Sequence, residues 1–304
     1  MGASTASTRV SSRALKQSTI TTITTAFPDG ATVPAIGMGT WHMGEDPTRR
    51  GAEVAALVAG FEAGSTLIDT AEMYGNGAAE SVAGDALRIL PRDQVFLVSK
   101  VLPDHAGCNR IFDSCRASLK RLGTDYLDLY LLHWRGAVPL AETVDCLEQL
   151  VEQGLIRRWG VSNFDVDDMQ DLLATPGGRD CATDQVLYHL GSRGVERELM
   201  PWLDEHRMPL MAYCPLAQAG RLASGILSDT VVRGVAASHA ATPAQVLLAF
   251  AIRSGRVVAI PKAGTAAHAQ ENAQAMSLAL TDADLRALSE RFPAPRGKVP
   301  LDVQ

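Results

Sequence analysis

Eight short apolar runs recur along the chain, separated by longer stretches in which apolar residues are spaced as on one face of a helix. Most runs begin roughly 25–31 residues after the one before, a spacing typical of repeated strand–helix units. Each run is almost continuously apolar, as is typical of parallel strands that helices cover. The runs are GMGTW from Gly37, TLID from Thr66, VFLVSK from Val95, YLDLYLLH from Tyr126, IRRWGVS from Ile156, TDQVLYH from Thr183, PLMAYCP from Pro209 and VVAIPK from Val257.

The stretch between the third and fourth runs shows the helical half of this repeat. Ile111, Cys115 and Leu119 share one helix face. Gly123 follows at the position where a glycine typically ends a helix. Eight strand–helix units in one chain favour a (β/α)8 TIM barrel over a six-stranded open sheet.

A turn signal precedes the first run, because Pro28, Asp29 and Gly30 separate two strand-like stretches. It predicts an N-terminal β-hairpin. Ahead of it the chain is rich in Ser, Thr and basic residues and has no acidic residue, a composition that favours a disordered extension and leaves a transit peptide as the alternative. Since no Pro/Gly/Ser-rich linker interrupts the rest, we predict an extension over residues 1–18 and a single domain over residues 19–304.

Composition narrows the class of protein. With 46% hydrophobic and 20% charged residues the chain has the balance of a globular protein. Its net charge of −6 argues against binding to a nucleic-acid backbone, and no apolar run is long enough to span a membrane. No CxxC pair occurs, so we expect no metal site, no disulfide framework and reduced thiols in a cytoplasmic protein. The cysteines are Cys108, Cys115, Cys146, Cys181 and Cys214.

Several familiar catalytic motifs are missing from the sequence. There is no P-loop lysine motif, no HExxH and no GxSxG. The segment from Gly75 to Glu80, GNGAAE, comes nearest to a dinucleotide fingerprint, but it lacks the third glycine and does not directly follow a strand. The sequence therefore does not predict a Rossmann domain.

Polar side chains stand where the predicted strands end, and that is where barrel enzymes place their active sites. Asp69, Lys100 and His133 end the second, third and fourth runs, and Tyr74 lies in the loop after the second. Each has a plain alternative: a helix cap for Asp69, a solvated strand end for Lys100, a loop anchor for Tyr74 and a buried core histidine for His133. Four ionisable groups at neighbouring strand ends favour a common site.

From about Thr21 onward the sequence resembles the aldo-keto reductases. The matching segments, in the same order and spacing, are GMGTWHMG, LIDTAEMYGNG, LVSKV, LYLLHW, WGVSNF, DQVLYH, AYCPLAQ and IPKAGTAAHAQEN. The resemblance implies a (β/α)8 barrel whose bottom is closed by the N-terminal hairpin. It also implies a catalytic tetrad of Asp69, Tyr74, Lys100 and His133, and NADPH bound in an extended form.

The resemblance further implies how the cofactor is held. Ser162, Asn163 and Gln185 match residues that bind the nicotinamide carboxamide, and Tyr213 matches the aromatic residue that stacks on the ring. Cys214 stands where serine is common in the pyrophosphate segment. The full set of implied cofactor residues is Gly39, Thr40, Trp41, Asp69, Ser162, Asn163, Gln185, Tyr213, Cys214, Pro215, Leu216, Ile260, Pro261, Lys262, His268, Glu271 and Asn272.

His268 departs from the pattern, because NADPH-preferring members usually carry arginine at this position. A neutral imidazole offers less charge to the 2′-phosphate than a guanidinium does. We therefore expect NADPH to be preferred and NADH to be used more weakly.

Short loops after His133 and after Phe292 predict a small open pocket with walls of Trp41, Tyr74, His133 and Trp134. The chain is most similar to small microbial members that reduce methylglyoxal and aromatic aldehydes. We predict a monomer that reduces small aldehydes or ketones with NADPH. Two alternatives remain: a cofactor-binding regulatory subunit of the potassium-channel β-subunit type, and an unrelated barrel enzyme for phosphorylated substrates.

Overall fold

The computed structural model describes residues 23–218 and 225–304, so the predicted disordered extension over residues 1–18 lies outside it. Within the described residues, every one of the eight apolar runs contains one strand of a parallel sheet, which confirms the strand prediction. A separate antiparallel pair, β1 with β2, forms the predicted hairpin. The strands are β1 (Thr24–Ala26), β2 (Thr32–Pro34), β3 (Met38–Gly39), β4 (Leu67–Asp69), β5 (Phe96–Val101), β6 (Leu129–Leu132), β7 (Trp159–Ser162), β8 (Asp184–Leu187), β9 (Leu210–Tyr213) and β10 (Val257–Ala259).

Helices alternate with the strands of the large sheet. Local signals set their ends: Asp165, Thr242 and Thr281 cap three of them as parts of capping boxes, and Gly123 adopts the left-handed conformation after another. The longer gap before the last run holds two helices instead of one. The helices are α1 (Arg50–Glu62), α2 (Ala78–Leu87), α3 (Ile111–Leu122), α4 (Leu140–Glu152), α5 (Val166–Ala174), α6 (Leu199–Glu205), α7 (Thr230–Ser238), α8 (Pro243–Ile252), α9 (Ala266–Gln274) and α10 (Asp282–Arg291).

The sheet runs in sequence order from β3 to β10, with every neighbouring pair parallel. Hydrogen bonds also join its two edges: the Gly37 N–H donates to the Ala259 carbonyl at 2.8 Å, and the Gly39 N–H donates to the Pro261 carbonyl at 3.0 Å. These bonds curl the sheet round on itself, as in a (β/α)8 barrel. All eight strands consequently direct their carboxyl ends to one rim.

The hairpin lies against the opposite, amino-terminal ends of the strands. Phe27 stacks on Phe96, the first residue of β5, at 5.1 Å between ring centroids. Asp29 pairs with Arg158, which immediately precedes β7, at 2.8 Å. The hairpin therefore leaves the other rim free for a functional site.

Two apolar layers hold the fold together. Leu67, Val98 and Leu131 belong to a buried cluster that also includes Phe27 of the hairpin. A larger cluster fills the space between the strands and the surrounding helices. Among the described residues no single helix has both the length and the apolar composition to cross a membrane, although α7 and α8, bent by 88°, meet the two criteria as a pair.

The expectation of reduced thiols is wrong at one place. Cys108 and Cys146 form a disulfide, with their Cα atoms 5.7 Å apart. They are separated by 38 positions, and the fold brings the loop after β5 against α4. Sequence spacing carries no signal for such a pair, because only the packing of the two units makes the cysteines neighbours. Cys115, Cys181 and Cys214 are free thiols.

Candidate active site

Three of the four predicted catalytic side chains form one hydrogen-bonded group at the carboxyl-terminal rim. The fully buried Lys100 Nζ donates to Asp69 Oδ2 at 2.7 Å and to the Tyr74 hydroxyl at 3.1 Å. It also donates to the Thr70 carbonyl at 2.9 Å. Lys100 is thus held between a carboxylate and a phenol, and the plain alternative of a solvated strand end does not describe it.

The turn after Tyr74 explains the glycine-rich segment that follows it. The backbone is left-handed at Gly75, Asn76 and Gly77, with φ values of 56°, 52° and 87°. Glycine and asparagine tolerate this conformation better than other residues do. The segment therefore serves to return the chain from Tyr74 into α2, which is a different role from a dinucleotide fingerprint.

Burial and charge act in opposite directions on the two titrating partners. Burial raises the pKa of the Tyr74 phenol, and the attraction of the Lys100 ammonium offsets this only in part. Burial acts to lower the pKa of Lys100, but the Asp69 carboxylate and the Tyr74 hydroxyl together outweigh it, so the net pKa of Lys100 is raised. Lys100 is a stable cation here, and Tyr74 keeps its proton at neutral pH. A lysine next to Tyr74 would by itself lower the pKa of the phenol, but burial reverses the direction of the shift in this site.

His133 completes the group from the end of β6. Its ring meets the Tyr74 ring edge-on, with centroids 5.6 Å apart. Burial, with repulsion from Lys100, lowers the pKa of His133 to about 3, so the imidazole is neutral at physiological pH. Its Nδ1 is buried and has no hydrogen-bond partner among the described residues.

A second set of polar side chains extends from this group along β7, β8 and β9. Gln185 Nε2 donates to Asp69 Oδ1 at 2.8 Å, and Ser162 Oγ donates to the Gln185 carbonyl at 2.7 Å. Asn163, whose φ is 61°, donates to the His133 carbonyl at 3.1 Å and accepts from the Tyr213 hydroxyl at 2.7 Å. These contacts orient hydroxyl and amide groups at the rim beside the tetrad.

A cavity of about 420 Å³ opens over these side chains. Lys100 lies behind its wall. His42, Met73, Gln218 and Gln304 also line it, although none was singled out from the sequence. The predicted residues that line the cavity are Gly39, Thr40, Trp41, Asp69, Tyr74, His133, Trp134, Ser162, Asn163, Gln185, Tyr213, Cys214, Pro215, Ile260 and Lys262.

The remaining predicted cofactor residues do not line this cavity. Leu216 and Pro261 are sequence neighbours of residues that line it. His268 is exposed in the first turn of α9. Glu271 accepts a hydrogen bond from the Thr242 hydroxyl at 2.6 Å, and Asn272 is buried. The structure thus places His268, Glu271 and Asn272 together on α9, beyond Lys262.

Gln304 is a cavity residue that sequence reasoning missed. The Cys214 thiol donates to Gln304 Oε1 at 2.7 Å, and burial raises the pKa of this thiol to about 11. Two residues before Gln304, the Asp302 carboxylate accepts a hydrogen bond from the Ser192 hydroxyl. No local signal in the last residues reveals that they reach the rim, because long-range packing alone puts them there.

Comparison with known proteins finds a family model and sequence relatives that cover most of the chain. The model of the Aldo/keto reductase family matches residues 35–291. Methylglyoxal reductase YeaE of Escherichia coli (strain K12) is 56% identical over 277 residues, covering 91% of this chain and 97% of that protein. Methylglyoxal reductase DkgB of Escherichia coli O157:H7 is 31% identical, covering 88% of this chain and 98% of its own length.

Solved structures agree with these sequence relatives. The crystal structure of an aldo/keto reductase from Klebsiella pneumoniae in complex with NADP and acetate has 53% sequence identity and a TM-score of 0.90. The match covers 93% of this chain and 100% of that one. A second structure from Klebsiella pneumoniae, in complex with NADPH, has the same identity and TM-score and covers 93% and 99% of the two chains.

Proposed function

The chain belongs to the aldo/keto reductase family, and from this premise we propose that it reduces methylglyoxal and other small aldehydes or ketones to alcohols with NADPH. Membership makes it an oxidoreductase. One observation carries the proposal for this chain's own residues: Lys100 is buried between Asp69 and the hydroxyl of Tyr74, at the wall of a cavity large enough for a small ligand.

The residues of the rim fit an NADPH cofactor. Ser162, Asn163 and Gln185 offer hydroxyl and amide groups that suit the carboxamide of a nicotinamide, and the half-buried ring of Tyr213 suits its flat face. Lys262 lines the same cavity and supplies a cation for the phosphates. When bound, NADPH supplies the hydride that a carbonyl carbon accepts.

Tyr74 supplies the proton that the carbonyl oxygen needs. Because burial raises the pKa of Tyr74, the phenol carries its proton at neutral pH. The Lys100 ammonium, 3.1 Å from the hydroxyl, stabilises the phenolate that remains after the transfer. Asp69, at 2.7 Å, keeps this ammonium charged and pointed at Tyr74.

His133 orients the carbonyl oxygen in this proposal and does not serve as the acid. A group whose pKa is about 3 carries no proton to give at neutral pH. A neutral imidazole can still take part in a hydrogen bond to the substrate oxygen beside the Tyr74 hydroxyl. His133 lines the cavity, and its ring lies 5.6 Å from that of Tyr74 between centroids, which supports a role for both side chains at the same substrate oxygen.

The walls of the cavity favour a small substrate. Trp41, Tyr74 and Trp134 line it, and Trp134 is 38% exposed at its mouth. These flat apolar surfaces suit a short or aromatic aldehyde better than a charged one. We further propose that the chain acts as a monomer.

The test is a panel of aldehydes and ketones, headed by methylglyoxal and benzaldehyde, assayed by the disappearance of NADPH. We expect turnover of methylglyoxal, with alcohol formed in equal amount to the NADPH consumed. Binding of NADPH, seen by fluorescence, without turnover of any carbonyl compound would instead indicate a regulatory cofactor-binding subunit. Failure to bind NADPH would contradict the proposal altogether.

A further inference from the structure

Two cations, those of Arg49 and Lys262, lie together beside Gly264. A Cβ atom at Gly264 would lie 2.8 Å from Arg49 Nη2 and 3.4 Å from Lys262 Nζ. The two cationic atoms are therefore no farther apart than the sum of those distances. A side chain at position 264 would push the Arg49 guanidinium away from this position.

Neither cation has an acidic partner in the part of the chain that the structure describes. Among the described residues, no carboxylate forms an ion pair within 4.0 Å of Arg49 or of Lys262. The residues outside the described ranges contain no Asp or Glu side chain. By contrast, the neighbouring Arg50 pairs with Asp85 at 2.6 Å. Two adjacent, uncompensated cations repel each other, and an anion bound between them would remove that cost.

The fold brings three chain segments to this point. Arg49 ends the short turn Pro47–Arg49 before α1, and Lys262 follows β10. Helix α9 begins just after Gly264, and α1 packs against it. The amino-terminal end of α9 adds the partial positive charge of its backbone N–H groups to the two side-chain cations.

We propose that Arg49, together with Lys262, binds the 2′-phosphate of NADPH and determines its selection over NADH. The inference rests on the proposed function. Lys262 lines the cavity whereas Arg49 does not, so the shared anion lies on the side away from Tyr74. The 2′-phosphate is the only group that distinguishes the two cofactors. A guanidinium can donate two parallel N–H bonds to it, which compensates for the histidine at position 268.

The test compares the Kd for NADPH and for NADH in the parent and in Arg49→Gln, each measured by protein and cofactor fluorescence. Loss of a charge-assisted hydrogen bond predicts a Kd for NADPH that rises about tenfold to a hundredfold, with the Kd for NADH changed less than about threefold. Arg49→Lys should recover part of the loss, since it restores the charge without the two parallel donors. Arg49→Gln with His268→Arg should recover more.

Arg50→Gln is the matched control, because it removes the same charge from the next residue. It should leave the ratio of the two affinities unchanged. Two adenosine probes separate the phosphates: Arg49→Gln should weaken calorimetric binding of 2′-AMP and spare that of 5′-AMP. A circular dichroism melt of each variant shows whether it is folded.

Two results would overturn the inference while leaving the proposed function intact. Equal weakening of NADPH and NADH would place Arg49 at the phosphates that both cofactors share. An unchanged Kd for NADPH in folded Arg49→Gln would remove Arg49 from the site. If the parent protein bound neither cofactor, the proposed function itself would fail, which is a different outcome.

Discussion

The cation at one end of the site is enclosed, whereas the cations at the other end are open. Lys100 is fully buried and donates to Asp69, Thr70 and Tyr74 at 2.7–3.1 Å. Arg49 is exposed, Lys262 is half-buried, and neither has a carboxylate partner among the described residues. The first arrangement fixes the position of a proton, and the second presents charge to a ligand. Proton transfer therefore depends on the fixed geometry around Lys100, whereas cofactor recognition depends on charges that salt can screen.

Tyr74→Phe tests the enclosed end and should have the largest effect. The substitution removes the proton donor and keeps the ring volume. We expect turnover of methylglyoxal to fall by about 10²–10⁴-fold, the usual contribution of general acid catalysis. The affinity for NADPH should be nearly unchanged. The measurements are kcat and cofactor Kd for the same preparations.

Tyr126→Phe is the matched control for this prediction, since it removes a phenol that lies under Arg92 and Arg157 away from the cavity. It should turn over like the parent. Near-normal turnover in Tyr74→Phe would mean that another group donates the proton. A parallel loss of NADPH affinity would show that the two ends of the site are not separate.

At the enclosed end, the lowered pKa of His133 predicts that the free energy of unfolding depends on pH. Its pKa is about 3 in the fold, against an ordinary value of 6.5 in the unfolded chain. Between these values the unfolded state binds the proton and the folded state does not, so stability is lost as pH falls from 6.5 toward 3. At pH 4.5 this group alone should cost about 2–3 kcal/mol of unfolding free energy.

The measurement is urea unfolding of the parent and of His133→Asn at pH 7 and pH 4.5. The variant should lose less stability than the parent on acidification, by about the amount above. Parallel losses in the two proteins would show that the buried imidazole does take up a proton in the fold.

The sequence predicts the parts of this molecule that depend on neighbouring strand ends. The eight apolar runs all contain strands, and Asp69, Lys100 and His133 meet because consecutive parallel strands end at one rim. What it does not reveal depends on packing between distant segments. Arg49 reaches Gly264 only because α1 lies against α9, and Gln304 reaches Cys214 only because the last residues cross the rim.

The direction of the Tyr74 pKa shift is another feature that the sequence does not reveal, because it too depends on packing. From the sequence, a nearby lysine suggests a lowered pKa, but the extent of burial decides the outcome. Burial is a property of the assembled barrel. The Cys108–Cys146 disulfide is missed for a similar reason, since its two halves come from different strand–helix units.

Lys262→Ala tests the open end. Removing this cation should lower kcat/KM with NADPH by about tenfold to a hundredfold and affect NADH less, so that most of the cofactor preference disappears. Because the cations are solvent-accessible, the preference of the parent should also shrink as salt is raised. The turnover defect of Tyr74→Phe should not respond to salt. Equal cofactor preference in parent and Lys262→Ala would show that the 2′-phosphate is recognised elsewhere.

His268→Arg should have the smallest effect, and it tests whether position 268 and Arg49 act on the same phosphate. His268 is exposed in the first turn of α9, beyond Lys262, where a guanidinium can reach the same anion. If Arg49 already supplies the second cation, a third adds little, so we expect the preference for NADPH at pH 7.5 to widen only about twofold to fivefold. In the Arg49→Gln background the same change should widen it by more than that. The measurement is kcat/KM for both cofactors at pH 7.5 in the parent, His268→Arg, Arg49→Gln and the double variant. A gain in the parent background as large as in the Arg49→Gln background would show that Arg49 and position 268 act on the phosphate independently.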